Sequence, residues 1–300
     1  LHLCDRRQRQ MCIRDSGSPT QGFGYTTLMT NNGKMVNRGV EITLSGEIIR
    51  QKDFSWNASL LYAFNRNKVK HISVQPSLWD SRISMPTSYP MVGKPLYGIY
   101  AYKWAGLNEN GDPQVYDAEN NVTSGPARDY HALVYCGTTV PIHNASLTNV
   151  LRYKGFEFSA MLILDAGHKL RSSNIPSINM SNGRITSTAK GIVDRWTQPG
   201  DVTDVPRLLF SNDTENFNTH RTELYRYSDL FVYDASNIRL SNISLAYRVP
   251  AHWCKKISLS GARLQFNVEN VATFAFDSKA NYDLGGKVKP NYVWGLYLNF

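Results

Sequence analysis

From Asp53 to Asn65 the chain alternates residue by residue between two faces. Phe54, Trp56, Ala58, Leu60, Tyr62 and Phe64 fall on one, and Ser55, Asn57, Ser59, Leu61, Ala63 and Asn65 on the other. A period of two is a strand, because only an extended backbone sends successive side chains to opposite sides. The length constrains it further. About ten residues at ~3.3 Å each, tilted by ~45°, cross the apolar band of an outer membrane, whereas strands of soluble sheets average only ~5–6 residues. Aromatic residues stand at both ends of the apolar face, with Ala58 and Leu60 between them, as in the girdles of a membrane barrel. No stretch approaches the ~18 apolar residues of a spanning helix. The pattern predicts a chain that crosses a membrane as strands or does not cross one.

The same alternation recurs, with varying clarity, over Arg38 to Arg50, Ala145 to Tyr153, Gly155 to Gly167, Ser236 to Val249, Ala262 to Asn270 and Tyr292 to Phe300. The connections fall into two kinds. Arg50 to Asp53 and Tyr153 to Gly155 are tight, and Pro250 to Gly261 is short to moderate. About 80 residues separate Arg66 from Asn144, about 70 separate His168 from Ala235, and about 20 precede the last strand. Short and long connections alternate in a barrel with short periplasmic turns and long extracellular loops. The expected fold is therefore all-β, the C-terminal portion of a large transmembrane antiparallel β-barrel with long extracellular loops. Gly98 to Leu107 and Pro113 to Asp117 are taken to form a hairpin inside the first long loop, as a condition for this parity. Seven strands are an odd number and cannot close a bacterial barrel, so the remaining strands are expected upstream.

Residues 1–16 stand outside this pattern. Leu1 to Ser16 shows neither strand nor helix periodicity and lacks the apolar core of a signal peptide. Its run Met11-Cys12-Ile13-Arg14-Asp15-Ser16 resembles a translated sequencing adapter. It is read as an artefact, with 17–300 as the barrel part and the true N-terminus missing. The net charge of +9 raises the question of nucleic acid, but the basic residues are scattered, without the aromatic-interleaved stripe of a nucleic-acid module, so no nucleic-acid partner is expected. Cys4, Cys12, Cys136 and Cys254 are too far apart for a CxxC zinc site or a disulfide framework. The seven histidines show no HExxH spacing, and neither a GxSxG elbow nor a phosphate-binding glycine loop is present. No enzyme activity, metal or cofactor is expected.

Several passages carry a family resemblance. They run from Asn37-Arg38-Gly39-Val40-Glu41 through Phe54-Ser55-Trp56-Asn57 and Asn65-Arg66-Asn67-Lys68-Val69. Val92-Gly93-Lys94-Pro95-Leu96 and Ala105-Gly106-Leu107-Asn108-Glu109-Asn110-Gly111-Asp112-Pro113 follow. Then come Arg195-Trp196, Pro199-Gly200-Asp201, Pro206-Arg207 and the run from Ile238 to Pro250. In order and spacing these resemble the C-terminal third of SusC/RagA-type TonB-linked outer-membrane transporters of Bacteroidetes. One departure is that Asn281 to Gly286 stands where that family usually carries a longer loop with a Gly-x-Asp-Pro-Glu stretch. The resemblance implies active import of nutrient oligomers, glycans or peptides, across the cell outer membrane. It also implies a SusD-like surface lipoprotein as lid, a TonB complex as energy source, and a plug domain upstream of this sequence.

Two sets of residues are candidates for function. Trp79, Tyr97 and Trp104, with Tyr89, Tyr100 and Tyr102, lie in the first long loop, where aromatic faces can stack on sugars or peptides or can pack the loop against its neighbours. Tyr292, Trp294, Leu296, Leu298 and Phe300 form the outward row of the last strand, facing outer-membrane lipid, and resemble the signal read by the barrel-assembly machinery. Glu157, Asp165, Arg263 and Glu269 are expected to point into the lumen. A passive porin, another outer-membrane barrel and a soluble carbohydrate-binding β-domain are the alternative readings.

Overall fold

A computed structural model describes residues 2–4, 9–17, 28–73, 81–125, 129–180, 189–210, 219–284 and 289–300. Its main feature is an antiparallel sheet of nine strands. Seven are those that the alternation predicts: β1 Leu28–Arg50, β2 Phe54–Ile72, β3 His143–Tyr153, β4 Phe156–Ala166, β5 Asn237–Arg248, β6 Gly261–Ala275 and β7 Asn291–Asn299. Each pairs with the next in chain order, so the sheet is a meander. The other two, His2–Cys4 and Arg9–Gly17, lie along the outer edge of β1. Nothing in the periodicity of 1–16 predicts a strand. The pairing follows from the edge itself, whose free N–H and C=O groups accept any extended segment.

The register sorts the side chains into two faces. Ile49, Trp56, Leu151, Phe158, Leu245, Phe266 and Trp294 are directly opposed from strand to strand, an unbroken apolar row across all seven. On the other face, Ser45, Ser59, Thr148, Met161, Asn242, Glu269 and Asn291 form a parallel row that is mostly polar. Two bulges keep these faces in phase. One between Glu47 and Ile49 removes Ile48 from the row, so Ile49 rather than Ile48 opposes Trp56. The other, between Leu240 and Asn242, does the same with Ser241. Asn149 interrupts the apolar face and accepts a 3.1 Å hydrogen bond from Trp56 Nε1.

β1 and β2 run well beyond the predicted limits of Arg38 and Asn65. Polar residues Asn65 to Lys68 hide the extension from any hydropathy pattern. Its support is tertiary: Met35, Val69 and Leu96 are buried together as a small core. The loop also clamps the strand end, with Leu96 N–H donating to Asn67 Oδ1 at 2.8 Å and Val69 N–H to the Lys94 carbonyl at 2.9 Å.

Within the first long loop, Trp104–Leu107 pairs with Pro113–Tyr116 as the hairpin reading requires. Gly98–Tyr102 does not join them. It pairs instead with Leu133–Thr138, because Tyr100 and Tyr102 are fully buried and Leu133 lies in the same core. The parity of the spanning strands does not depend on this hairpin, since a hairpin returns the chain to the side it left.

Candidate functional site

Two places gather functional side chains: the polar face of the sheet and the loop assembly beyond one end of it. The loop assembly is built around buried aromatic residues. Tyr100, Tyr102, Val115, Ala132, Leu133 and Leu224 form one core, which brings the helix α1 (Thr219–Arg226) of the second long connection against the strands of the first. Ile178, Tyr225 and Phe231 form a second, with Trp104 packed against it. Burial raises the Tyr225 hydroxyl well above its ordinary range. Tyr102 N–H donates to the Tyr227 carbonyl at 2.9 Å, and Arg171 Nη2 donates to the Tyr100 carbonyl at 2.6 Å.

A polar clasp closes the same assembly. Asp112 accepts from Arg207 through both carboxylate oxygens, at 3.1 and 2.8 Å, and from Arg221 Nε at 3.1 Å. Arg221 is buried, and it also donates to the carbonyls of Ile178 at 3.1 Å and Arg207 at 2.7 Å. Burial holds the Arg221 pKa down, and Asp112 opposes that shift by favouring the charged form. Beside the clasp, Gly111 adopts φ +73° under the Trp196 indole; a Cβ there would lie 2.4 Å from ring carbon Cδ2. The contacts of Gly111 with Trp196 and of Asp112 with Arg207 and Arg221 join residues about 85 to 110 apart in sequence. Asp112, Trp196 and Arg207 sit in the motifs quoted above, but nothing in those motifs says that they meet. Arg221 has no sequence signal at all.

Of the loop aromatics proposed to contact substrate, Trp79 lies outside the described residues. Tyr97 is about half exposed, and its carbonyl is held by Thr139 N–H at 2.9 Å, so its ring is open to solvent while its backbone is fixed. Trp104 is half-buried. Its Nε1 donates to Asp204 at 3.0 Å, its backbone N–H to Asp229 at 2.9 Å, and its ring lies 5.9 Å from that of Tyr225. The structure thus places Trp104 between loops and Tyr97 on the surface.

On the sheet, Tyr292, Trp294, Leu296 and Leu298 share the apolar face with Val268, Phe266, Leu264 and Ala262 opposite them. Trp294 remains 78% exposed and Phe300 92%. Glu157, Asp165, Arg263 and Glu269 all fall on the polar face. Glu157 accepts from Arg152 at 2.7 Å and Arg263 at 3.1 Å, and Asp165 lies 3.8 Å from Arg239.

No family model matches the chain. The TonB-dependent receptor P3 of Formosa agariphila is 24% identical over 294 residues, covering 91% of this chain and 28% of that protein. The TonB-dependent receptor SusC of Bacteroides thetaiotaomicron is 22% identical over 263 residues, covering 83% and 24%. Among solved structures, the RagAB peptide transporter superposes with a TM-score of 0.68 at 21% identity, covering 92% of this chain and 31% of that one. The RagAB peptide importer in an open-open state gives 0.69 over 98% and 32%. The chain therefore spans about a third or less of the length of the relatives it matches. Residue motifs, relatives and fold agree: over most of its length the chain is similar to TonB-dependent receptors of the SusC/RagA type.

Proposed function

We propose that this chain builds part of the wall and the outer loops of a TonB-dependent importer in the outer membrane. The observation that carries the reading is the apolar row from Ile49 to Trp294, backed by a polar face. In a soluble protein so wide an apolar face needs a second layer of structure over it. Among the described residues none is present: Leu44 is 40% exposed, Leu264 51% and Trp294 78%. Lipid supplies that cover in a membrane, and the polar face then lines an aqueous interior.

The tight turns lie at the periplasmic end and the loop assembly outside the cell. Nutrient oligomers, glycan or peptide, enter from the loop side, where Tyr97, Trp104 and Trp79 are the proposed aromatic contacts. A SusD-like lipoprotein covers the loops and a TonB complex supplies the energy. The row Tyr292, Trp294, Leu296, Leu298 and Phe300 is the element offered to the barrel-assembly machinery. The test is growth of the host strain on its oligomeric substrate with the gene intact, deleted, or combined with loss of TonB. Uptake is expected to need both. Uptake that survives loss of TonB indicates a passive pore and overturns the proposal.

A further inference from the structure

The polar face carries a second feature at its tight-turn end, independent of the loops. Arg248 on β5 and Arg263 on β6 are directly opposed residues. Like charges in that position destabilise a sheet. One strand further on, Arg152 opposes Glu157, and Lys154 sits in the turn between them. Arg152, Lys154, Glu157, Arg248 and Arg263 together line a cavity of about 100 Å³. Four cations therefore face one carboxylate, and that carboxylate is already engaged. Glu157 Oε2 accepts from Arg152 Nε at 2.7 Å, and Oε1 from Arg263 Nη2 at 3.1 Å. The Arg248 guanidinium makes no side-chain hydrogen bond or ion pair among the described residues, although its backbone N–H is fixed to the Gly155 carbonyl at 2.8 Å.

We infer that this cavity is an oxyanion-binding site, with Arg248 as its free donor and Arg263 and Lys154 as its flanking charges. A guanidinium presents a planar fork of N–H groups that matches two oxygens of a carboxylate or phosphate. An anion between Arg248 and Arg263 also removes the repulsion that the register imposes. The ligand is a small oxyanion with at least two accepting oxygens, supplied as free phosphate or as a carboxylate on a larger chain. The site does not depend on the transport reading, since it is defined by the strand register and the turn between β3 and β4.

The test is calorimetric titration of inorganic phosphate into the complete polypeptide carrying this chain, in detergent, with chloride holding ionic strength constant. Saturable binding is expected, and R248Q is expected to weaken it by about tenfold or more, the loss of charge-assisted hydrogen bonds. K154Q, which leaves the Arg152–Glu157–Arg263 contacts intact, is expected to weaken it less. Both side chains lack hydrogen-bond partners here, so both variants should fold as the parent does. Absence of saturable binding, or equal affinity in R248Q and the parent, overturns the inference. Competition by hexaglutamate would identify a carboxylate-bearing chain as a source, and failure to compete leaves free phosphate as the ligand.

Discussion

At the scale of single residues, Gly111 shows how a loop motif acts through a distant partner. Its φ of +73° suits glycine, and the Trp196 indole occupies the space where any side chain would begin. Gly111→Ala should therefore displace Trp196 and cost about 2–4 kcal/mol, combining overpacking with a left-handed backbone. Faster proteolysis within 189–210 is the expected readout, and an unchanged cleavage rate would show that the indole contact is dispensable. Asp234 gives a different handle. Partial burial pushes its carboxyl up, but hydrogen bonds from Ser236 and the Lys169 ammonium at 3.0 Å outweigh this and hold it at about 2. A depressed carboxyl stabilises the fold above its unfolded pKa of 3.8, and that contribution is lost as pH falls from there through about 2. Asp234→Asn should flatten the acid limb of a melting-temperature profile between those values and leave its shape near neutrality unchanged.

At the scale of elements, the strands were legible because one chemical rule governs their whole length. Each residue of β2 between Phe54 and Phe64 meets either the apolar or the polar face, so period two is written directly in the sequence. What escaped that rule was set by tertiary contacts. The upper ends of β1 and β2 depend on Leu96, and Gly98–Tyr102 chose Leu133–Thr138 over the nearer hairpin to bury two tyrosines. The bulge at Ile48 is likewise invisible to a residue count, because Ile48 and Ile49 are equally apolar. The loop clasp was legible only as isolated words: Asp112, Trp196 and Arg207 appear in motifs, while their meeting is a fact of three-dimensional packing. The two faces make a sharp prediction for β2. Leu60 is opposed by Leu44 and Leu147 on the apolar face, and Ser59 by Ser45 and Thr148 on the polar one. Leu60→Arg places a charge in the middle of the apolar band, at a cost of ~2–4 kcal/mol, whereas Ser59→Arg should be nearly silent. The comparison is read as the heat-modifiable fraction on cold gels of the complete polypeptide. Equal losses in the two variants would mean that lipid does not cover the Leu60 face.

At the scale of the whole molecule, the described strands of the sheet leave an edge unpaired. β6 pairs with one edge of β7, and among the described residues nothing pairs with the other. Each N–H or C=O left unpaired in hydrocarbon costs several kcal/mol, which is why spanning sheets close on themselves. A nine-residue strand such as β7 has enough of these groups on one edge to outweigh the typical stability of a domain, ~5–15 kcal/mol. The relatives are about four times as long as the part matched here, so partners for the open edge have room in the remainder of such a polypeptide. It follows that residues 17–300 expressed alone should fail to enter detergent micelles as a heat-modifiable species and should remain protease-sensitive throughout β7. Adding the remaining strands, in cis within the complete polypeptide, should restore both properties. A monomeric, heat-modifiable and protease-resistant species from 17–300 alone would mean that this sheet closes with what it has, and the unpaired edge of β7 would then have to find its partner within these residues.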